Sequence, residues 1–178
     1  MNGGTWCSLF TILNAIPHGA DNSLQERIVE LILWRHAEAE DGAPDSERKL
    51  TNKGQKQAET MAEWLKPRLP KNTLILVSPT RRTQQTAAAL DSDFETTEEI
   101  GPGASAKAIL AAAEWPDRKG AVIVVGHQPT LGEAAALILS GKTPSWNIRK
   151  GAVWWFTHKN KDGGEEIYLH AVVSPDMA

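Results

Sequence analysis

Three short apolar runs dominate the hydrophobic pattern, and each has the length of a buried strand. They are residues 28–34 (IVELILW), 73–77 (TLILV) and 120–126 (GAVIVVG). Because these runs are nearly continuous rather than alternating, they predict strands covered on both faces, as in a parallel sheet. A weaker edge strand is expected within residues 93–100. Two later runs, joined by the turn-forming NKDGG, favour an antiparallel hairpin at the end of the chain.

Segments with apolar residues at helical spacing lie between and after these strands, at residues 54–65, 80–90, 105–115 and 130–139. We expect Ser78 and Ser105 to cap the second and third helices, and Thr130 with Glu133 to form a capping box at the fourth. Alternation of strand and helix predicts an α/β fold. The expected architecture is a three-layer sandwich with a mostly parallel central sheet flanked by helices.

The chain has 178 residues, which suits a single folded domain, expected here over residues 25–178. Residues 1–24 are expected to form an N-terminal arm of unknown role, because their apolar stretch is too short to span a bilayer. We predict a cytoplasmic protein without a membrane partner. The formal net charge of −3 excludes the global basic field typical of nucleic-acid binders. The single cysteine, Cys7, excludes an intrachain disulfide framework and a cysteine-based zinc cluster.

Cationic and imidazole side chains stand where the three strong strands end. Arg35 and His36 follow the first strand, and Arg82 lies in the first turn of the helix after the second. His127 follows the third strand, just before a helix begins. The carboxyl ends of parallel strands meet at one edge of a sheet, so these side chains should share a pocket. With helix N-termini nearby, such a pocket suits a phosphate-like dianion.

The residue types also indicate a reaction. An arginine stays protonated and cannot attack phosphorus, whereas a neutral imidazole can. Neighbouring arginines disfavour protonation of a histidine and stabilise charge on a phosphoryl group in transit. The pattern therefore predicts phosphoryl transfer to a histidine and then to water. The chain has no convincing metal-ligand spacing, so we expect neither a metal nor another cofactor.

Four segments carry a family resemblance: RHAEAE at 35–40, DSERKLTNKG at 45–54, SPTRRTQQTA at 78–87 and VVGHQP at 124–129. In these motifs the chain resembles the histidine phosphatase superfamily, and in particular its small SixA-type phosphohistidine phosphatases. The resemblance implies a phosphoglycerate-mutase-like fold and His36 as the phosphorylated nucleophile. It further implies that Arg35, Arg82 and His127 bind the phosphoryl group, and that Arg48 lies at the edge of the pocket.

The proton donor for the leaving group stays open among Glu38, Glu99 and no residue at all. Fewer than forty residues separate Arg82 from Ala121, which leaves no room for a large cap insertion over the site. An uncovered site favours a phosphorylated protein, so phosphohistidine in proteins is the expected substrate. The alternatives are a small-molecule phosphomonoesterase or mutase of the same superfamily, and a non-catalytic module that binds phosphate or phosphoproteins.

Overall fold

The computed structural model describes residues 27–161 and 164–178, and its centre is a six-stranded sheet in the order β3-β2-β4-β1-β5-β6. The strands are β1 (Arg27–Arg35), β2 (Thr73–Val77), β3 (Glu95–Thr96), β4 (Gly120–Gly126), β5 (Val153–Lys161) and β6 (Gly164–Val173). The first four strands pair in parallel, and β5 and β6 are antiparallel. This confirms the predicted α/β fold with a mostly parallel sheet. The proposed N-terminal arm, residues 1–24, lies outside the described residues.

The helices of the described chain are α1 (Asn52–Leu65), α2 (Arg81–Ala88), α3 (Ala106–Ala112) and α4 (Thr130–Ser140). They cover the sheet on both faces. Because alternate residues of a strand point to opposite faces, each strand contributes side chains to both layers of packing. Leu31 and Leu33 of β1 face a core shared with α3 and α4. Ile32 and Trp34 face a second core shared with α1 and α2. The buried run in β1 therefore serves two cores, which is why it shows no alternation of apolar and polar residues.

Two predicted helix starts differ from the structure. Ser78 does not cap α2, whose N-cap is Thr80, because the Ser78 hydroxyl is bonded to His127 instead. Thr130 and Glu133 form no capping box, since Pro129 is the N-cap of α4 and the Thr130 hydroxyl donates to the carbonyl of Ala104. The prediction for α3 is confirmed, with the Ser105 hydroxyl accepting from the backbone of the first turn.

The connection from α2 to β4 is compact. Residues 89–119 contain only β3, a short 3-10 turn at Glu98–Ile100 and α3, so no cap insertion lies over the sheet edge. Within the described part of the chain, no helix combines the length and the apolar character needed to cross a membrane.

Candidate active site

The register of the sheet aligns the carboxyl ends of β1, β4 and β2. Arg35 pairs with Gly126, and Val77 pairs with Val125. The parallel ladder continues one residue beyond the strands. The His36 N–H donates to the Gly126 carbonyl at 3.1 Å, and the Ser78 N–H donates to the Val125 carbonyl at 3.1 Å. Backbone pairing alone therefore brings His36 and Ser78 to the same edge, on either side of the residues that lead into His127.

The two imidazoles face each other across this edge, with ring centroids 5.3 Å apart. Nδ1 of His36 lies 2.7 Å from the carbonyl oxygen of Ala37. A carbonyl only accepts hydrogen bonds, so Nδ1 carries the proton. In the neutral ring the other nitrogen, Nε2, then carries the lone pair. This arrangement presents Nε2 as the nucleophilic atom.

His127 has the opposite assignment. Arg82 Nη2 lies 3.4 Å from Nδ1 of His127, and the Ser78 hydroxyl oxygen lies 2.7 Å from Nε2. A guanidinium has no acceptor, so Nδ1 must hold the lone pair and Nε2 must donate its proton to Ser78. The Nδ1 lone pair of His127 therefore accepts from the guanidinium of Arg82, and Nδ1 could donate to an anion bound there only after it takes up a proton.

Each of the two arginines retains a buried donor without a partner. The Arg82 side chain is 6 % exposed and donates from Nη1 to the Asp45 carbonyl at 2.6 Å. Arg35 donates from Nη1 to the carbonyl of Ile148 at 2.7 Å. Among the described residues, nothing accepts from the buried Nε of Arg35 or of Arg82. A buried N–H without an acceptor is costly, and an oxyanion that drew the guanidiniums toward it would lower that cost.

The pKa of each site histidine is far below its usual range. Burial, followed by the charges around it, lowers the pKa of His36 to about 3, despite the opposing hydrogen bond to Ala37. Burial and the Arg82 charge lower the pKa of His127 to about 4, against an opposing effect of Asp45. Both rings are therefore neutral near pH 7, and Nε2 of His36 keeps its lone pair.

Sequence reasoning missed Asp45, which links two arginines. Its carboxylate accepts from Arg82 Nη2 at 2.9 Å and from Arg48 Nη1 at 2.9 Å. These hydrogen bonds, that from Arg48 first, hold the pKa of Asp45 below its ordinary value. Arg48 also donates to the carbonyl of Glu40 at 2.6 Å. Its connection to Arg82 runs through the Asp45 carboxylate that both arginines share. The signal was present in the D-x-x-R spacing, which places an acid one turn before Arg48.

The carboxyl of Glu38 is engaged at the rim of the site. Its Oε2 lies 3.2 Å from Lys53 Nζ, and its Oε1 accepts from the Thr51 hydroxyl at 3.3 Å. The Lys53 hydrogen bond is the main reason that the pKa of Glu38 is lowered. An ionised carboxylate has no proton to donate, which argues against Glu38 as the acid near pH 7. Glu99 lies exposed on the 3-10 turn, where its backbone N–H donates to the Thr97 hydroxyl.

Polar side chains of α1 and α2 hold the loop that follows His36. The Thr86 hydroxyl accepts from the Ala37 N–H at 3.1 Å while it donates to the carbonyl of Arg82. Gln57 accepts from the Glu38 N–H at 3.0 Å. These bonds position the backbone that orients His36, so Thr86 and Gln57 have a scaffolding role.

Comparison with known proteins agrees with this geometry. Residues 31–103 match the model of the histidine phosphatase superfamily (branch 1). Phosphohistidine phosphatase SixA of Escherichia coli is 31% identical over 125 residues, which are 65% of this chain and 78% of that protein. A SixA homolog of Haemophilus influenzae is 34% identical over 132 residues, or 65% of this chain and 80% of the homolog. A solved structure of the protein histidine phosphatase SixA complexed with tungstate superimposes with a TM-score of 0.67 at 26% identity, covering 83% and 97% of the two chains.

Fold and site together define a phosphoglycerate-mutase-like α/β protein that presents two imidazoles and two guanidiniums at one sheet edge. With these relatives, the chain belongs to the histidine phosphatase superfamily. The resemblance stated from the four sequence motifs is confirmed.

Proposed function

We propose that this protein is a phosphatase that transfers a phosphoryl group to Nε2 of His36 and then to water, and that its substrate is phosphohistidine in other proteins. The observation that carries the proposal is the orientation of His36. Its Nδ1–H is engaged by the Ala37 carbonyl, and its ring faces His127 at 5.3 Å. Arg35 and Arg82 would bind the phosphoryl oxygens, with Asp45 and Arg48 holding Arg82 in place. His127 would donate to a phosphoryl oxygen after Nδ1 takes up a proton, which the negative charge of the bound group favours.

In the first step, Nε2 of His36 attacks phosphorus, a P–Nε2 bond forms, and the P–N bond of the substrate breaks. A phosphohistidine ring that already carries a proton on its other nitrogen leaves as a neutral imidazole. In the second step, water attacks phosphorus and the P–Nε2 bond breaks. The water gives up one proton to solvent, and phosphate is released. The Nδ1 proton of His36 stays on the ring throughout, because the Ala37 carbonyl holds it.

This scheme needs no general acid from the protein, and the carboxyl groups near the site agree with that. Glu38 is ion-paired with Lys53, and Asp45 is bonded to Arg48 and Arg82. Both carboxyl groups have lowered pKa values. An alkyl phosphate monoester would need a proton donor for its oxygen leaving group, whereas phosphohistidine supplies its own. The alternative that no residue acts as general acid is therefore the one the contacts favour.

SixA of Escherichia coli is by name a phosphohistidine phosphatase, and the tungstate in the solved SixA structure is a phosphate-like oxyanion. The first supports a phosphohistidine substrate here, and the second supports a site for phosphate-like anions. The arginines and histidines supply the positive charge and the nucleophile, so the proposed reaction uses no metal ion. The cytoplasmic location expected from the sequence belongs to the same proposal.

Rapid quench with a ³²P-labelled phosphohistidine protein tests the function. We expect the wild type to form a base-stable, acid-labile phosphoenzyme within one turnover. The His36→Ala variant should form none and lose activity by on the order of 1,000-fold. The matched control is His170→Ala, an exposed histidine on β6, which should form the phosphoenzyme normally. A phosphoenzyme that persists in His36→Ala would contradict the assignment, and tight binding without turnover would favour a binding module.

A further inference from the structure

A groove of about 380 Å³ opens beside the candidate active site and shares Arg35 and Glu38 with it. Its walls come from the end of β1 and the loop after it, the first half of α1, the segment that precedes β5 and the residues that follow β6. Four cationic side chains line it against two carboxylates: Arg35, Lys53, Arg149 and Lys150, with Glu38 and Asp176. The whole chain carries a net charge of −3, so this local positive excess is a property of the groove and not of the composition.

The charges of the groove are available to a partner. Lys53 pairs with Glu38 at 3.2 Å, and Arg149 pairs with Asp176 at 3.0 Å. The Lys53 and Arg149 side chains are 70 % and 69 % exposed, and exposed ion pairs exchange partners at little cost. Lys150 is exposed as well, and within the described residues no carboxylate lies within ion-pair distance of it.

Building on the proposed function, we propose that this groove binds acidic side chains that flank the phosphohistidine of a protein substrate. The four cations stand on three separate segments along an open groove, with Arg149 and Lys150 adjacent on one of them. A pocket for a small molecule would instead converge on one enclosed point. Among the described residues, the compact connection between α2 and β4 places no cap over the sheet edge, which favours the approach of a folded partner.

Charges of this kind act mainly on the rate and selectivity of association. Exposed complementary charges steer a partner into register and lose their effect as salt screens them. The predicted consequence is a preference among phosphohistidine substrates according to the charge of neighbouring residues. That preference should fall with ionic strength and should depend on the groove residues that take no part in phosphoryl transfer.

The test uses two phosphohistidine peptides of equal length, one with Asp and Glu and the other with Lys on both sides of the phosphohistidine. For the wild type in about 0.05 M salt we expect kcat/KM to be about tenfold higher for the acidic peptide. The ratio should approach one in about 0.5 M salt. In Arg149→Gln/Lys150→Gln, the ratio in low salt should fall to about twofold. A general loss of activity would lower kcat/KM for both peptides by the same factor and leave their ratio unchanged.

The matched control is Lys66→Gln/Lys71→Gln. These exposed lysines lie at the far end of α1 and just before β2, at the opposite edge of the sheet, so the wild-type ratio should persist. Equal kcat/KM for both peptides in the wild type would overturn the groove assignment alone, as would an unchanged ratio in Arg149→Gln/Lys150→Gln. If the wild type hydrolyses neither peptide but still hydrolyses p-nitrophenyl phosphate through His36, the proposed function itself fails, and the groove assignment fails with it.

Discussion

Single hydrogen bonds decide which nitrogen of each site histidine is free. His36 donates from Nδ1 to Ala37, and His127 donates from Nε2 to Ser78. The two rings therefore present different atoms, Nε2 of His36 and Nδ1 of His127. Arg82 faces the second of these at 3.4 Å, so a phosphoryl group held by Arg82 would favour a proton on Nδ1 of His127, which could then donate to a phosphoryl oxygen. The buried hydroxyl of Ser78 is thus a positioning group that acts through His127.

Removing the Ser78 hydroxyl should disturb catalysis without removing a group that touches substrate. In Ser78→Ala, Nε2–H of His127 loses its buried acceptor, which costs about 1–3 kcal/mol. We expect kcat on p-nitrophenyl phosphate to fall about tenfold, which corresponds to about 1.4 kcal/mol, with a smaller change in KM. A full pH–rate profile should change shape, because the tautomer of His127 is no longer held. The control, Ser140→Ala, removes a hydroxyl at the far end of α4 and should keep the wild-type profile. A wild-type pH–rate profile in Ser78→Ala would refute the positioning role of Ser78.

At the scale of elements, two helices approach the site loops closely through glycine. Gly54 of α1 lies against the backbone carbonyl of Glu38, and Gly132 of α4 lies against that of Trp146. A Cβ at either position would clash with a backbone oxygen, which cannot move aside as a flexible side chain can. The first turn of α1 therefore holds the loop after His36, and α4 holds the segment that leads to the basic groove.

The Gly54→Ala substitution tests this packing. Alanine would normally favour a helix interior by about 1 kcal/mol over glycine, but here the clash with Glu38 should outweigh that gain. We expect a net loss of about 1–3 kcal/mol in the free energy of unfolding, together with lower phosphatase activity, because the displaced loop carries the orienting Ala37 carbonyl. Urea denaturation measures the stability. The control, Lys56→Ala, changes an exposed site of the same helix, and its free energy of unfolding should stay within about 0.5 kcal/mol of the wild-type value. A Gly54→Ala variant more stable than the wild type would show that the loop after His36 moves aside at little cost.

For the whole molecule, the two neutral histidines couple stability to pH. In the unfolded chain a histidine titrates with a pKa near 6.5, whereas in the folded protein the pKa values of His36 and His127 are about 3 and about 4. Between these limits the unfolded state binds more protons than the folded state, so stability falls as the pH is lowered. The arrangement that keeps the nucleophile unprotonated therefore makes the fold sensitive to acid.

Between pH 7 and pH 5 we expect a loss of up to roughly 2 kcal/mol for each of the two histidines, from the linkage of proton binding to unfolding. Urea unfolding monitored by tryptophan fluorescence at several pH values measures it. The double variant His36→Asn/His127→Asn lacks both groups and should show a flatter dependence over this range. Equal slopes in wild type and double variant would mean that other residues control the acid sensitivity. A bound phosphate analogue should raise both pKa values, because its negative charge favours the protonated rings.

Much of the fold and part of the site could be predicted because the relevant patterns are local. Continuous apolar runs indicated β1, β2 and β4, and parallel pairing placed the residues that follow them at one edge. The helix starts were less predictable. Ser78 has the residue type of a cap, yet its hydroxyl bonds to His127, because tertiary hydrogen bonding outweighed the local preference.

The sequence by itself determined which side chains reach the sheet edge, since strand ends and helix spacing depend on neighbouring residues. Only the tertiary structure decided the proton positions on the two rings, the link from Asp45 to Arg82, and the meeting of Lys53, Arg149 and Lys150 in one groove. The His36–Ala37 bond depends on a loop held by Thr86 and Gln57, and the other features join segments tens of residues apart, so their geometry depends on how whole elements pack. No local pattern carries that information.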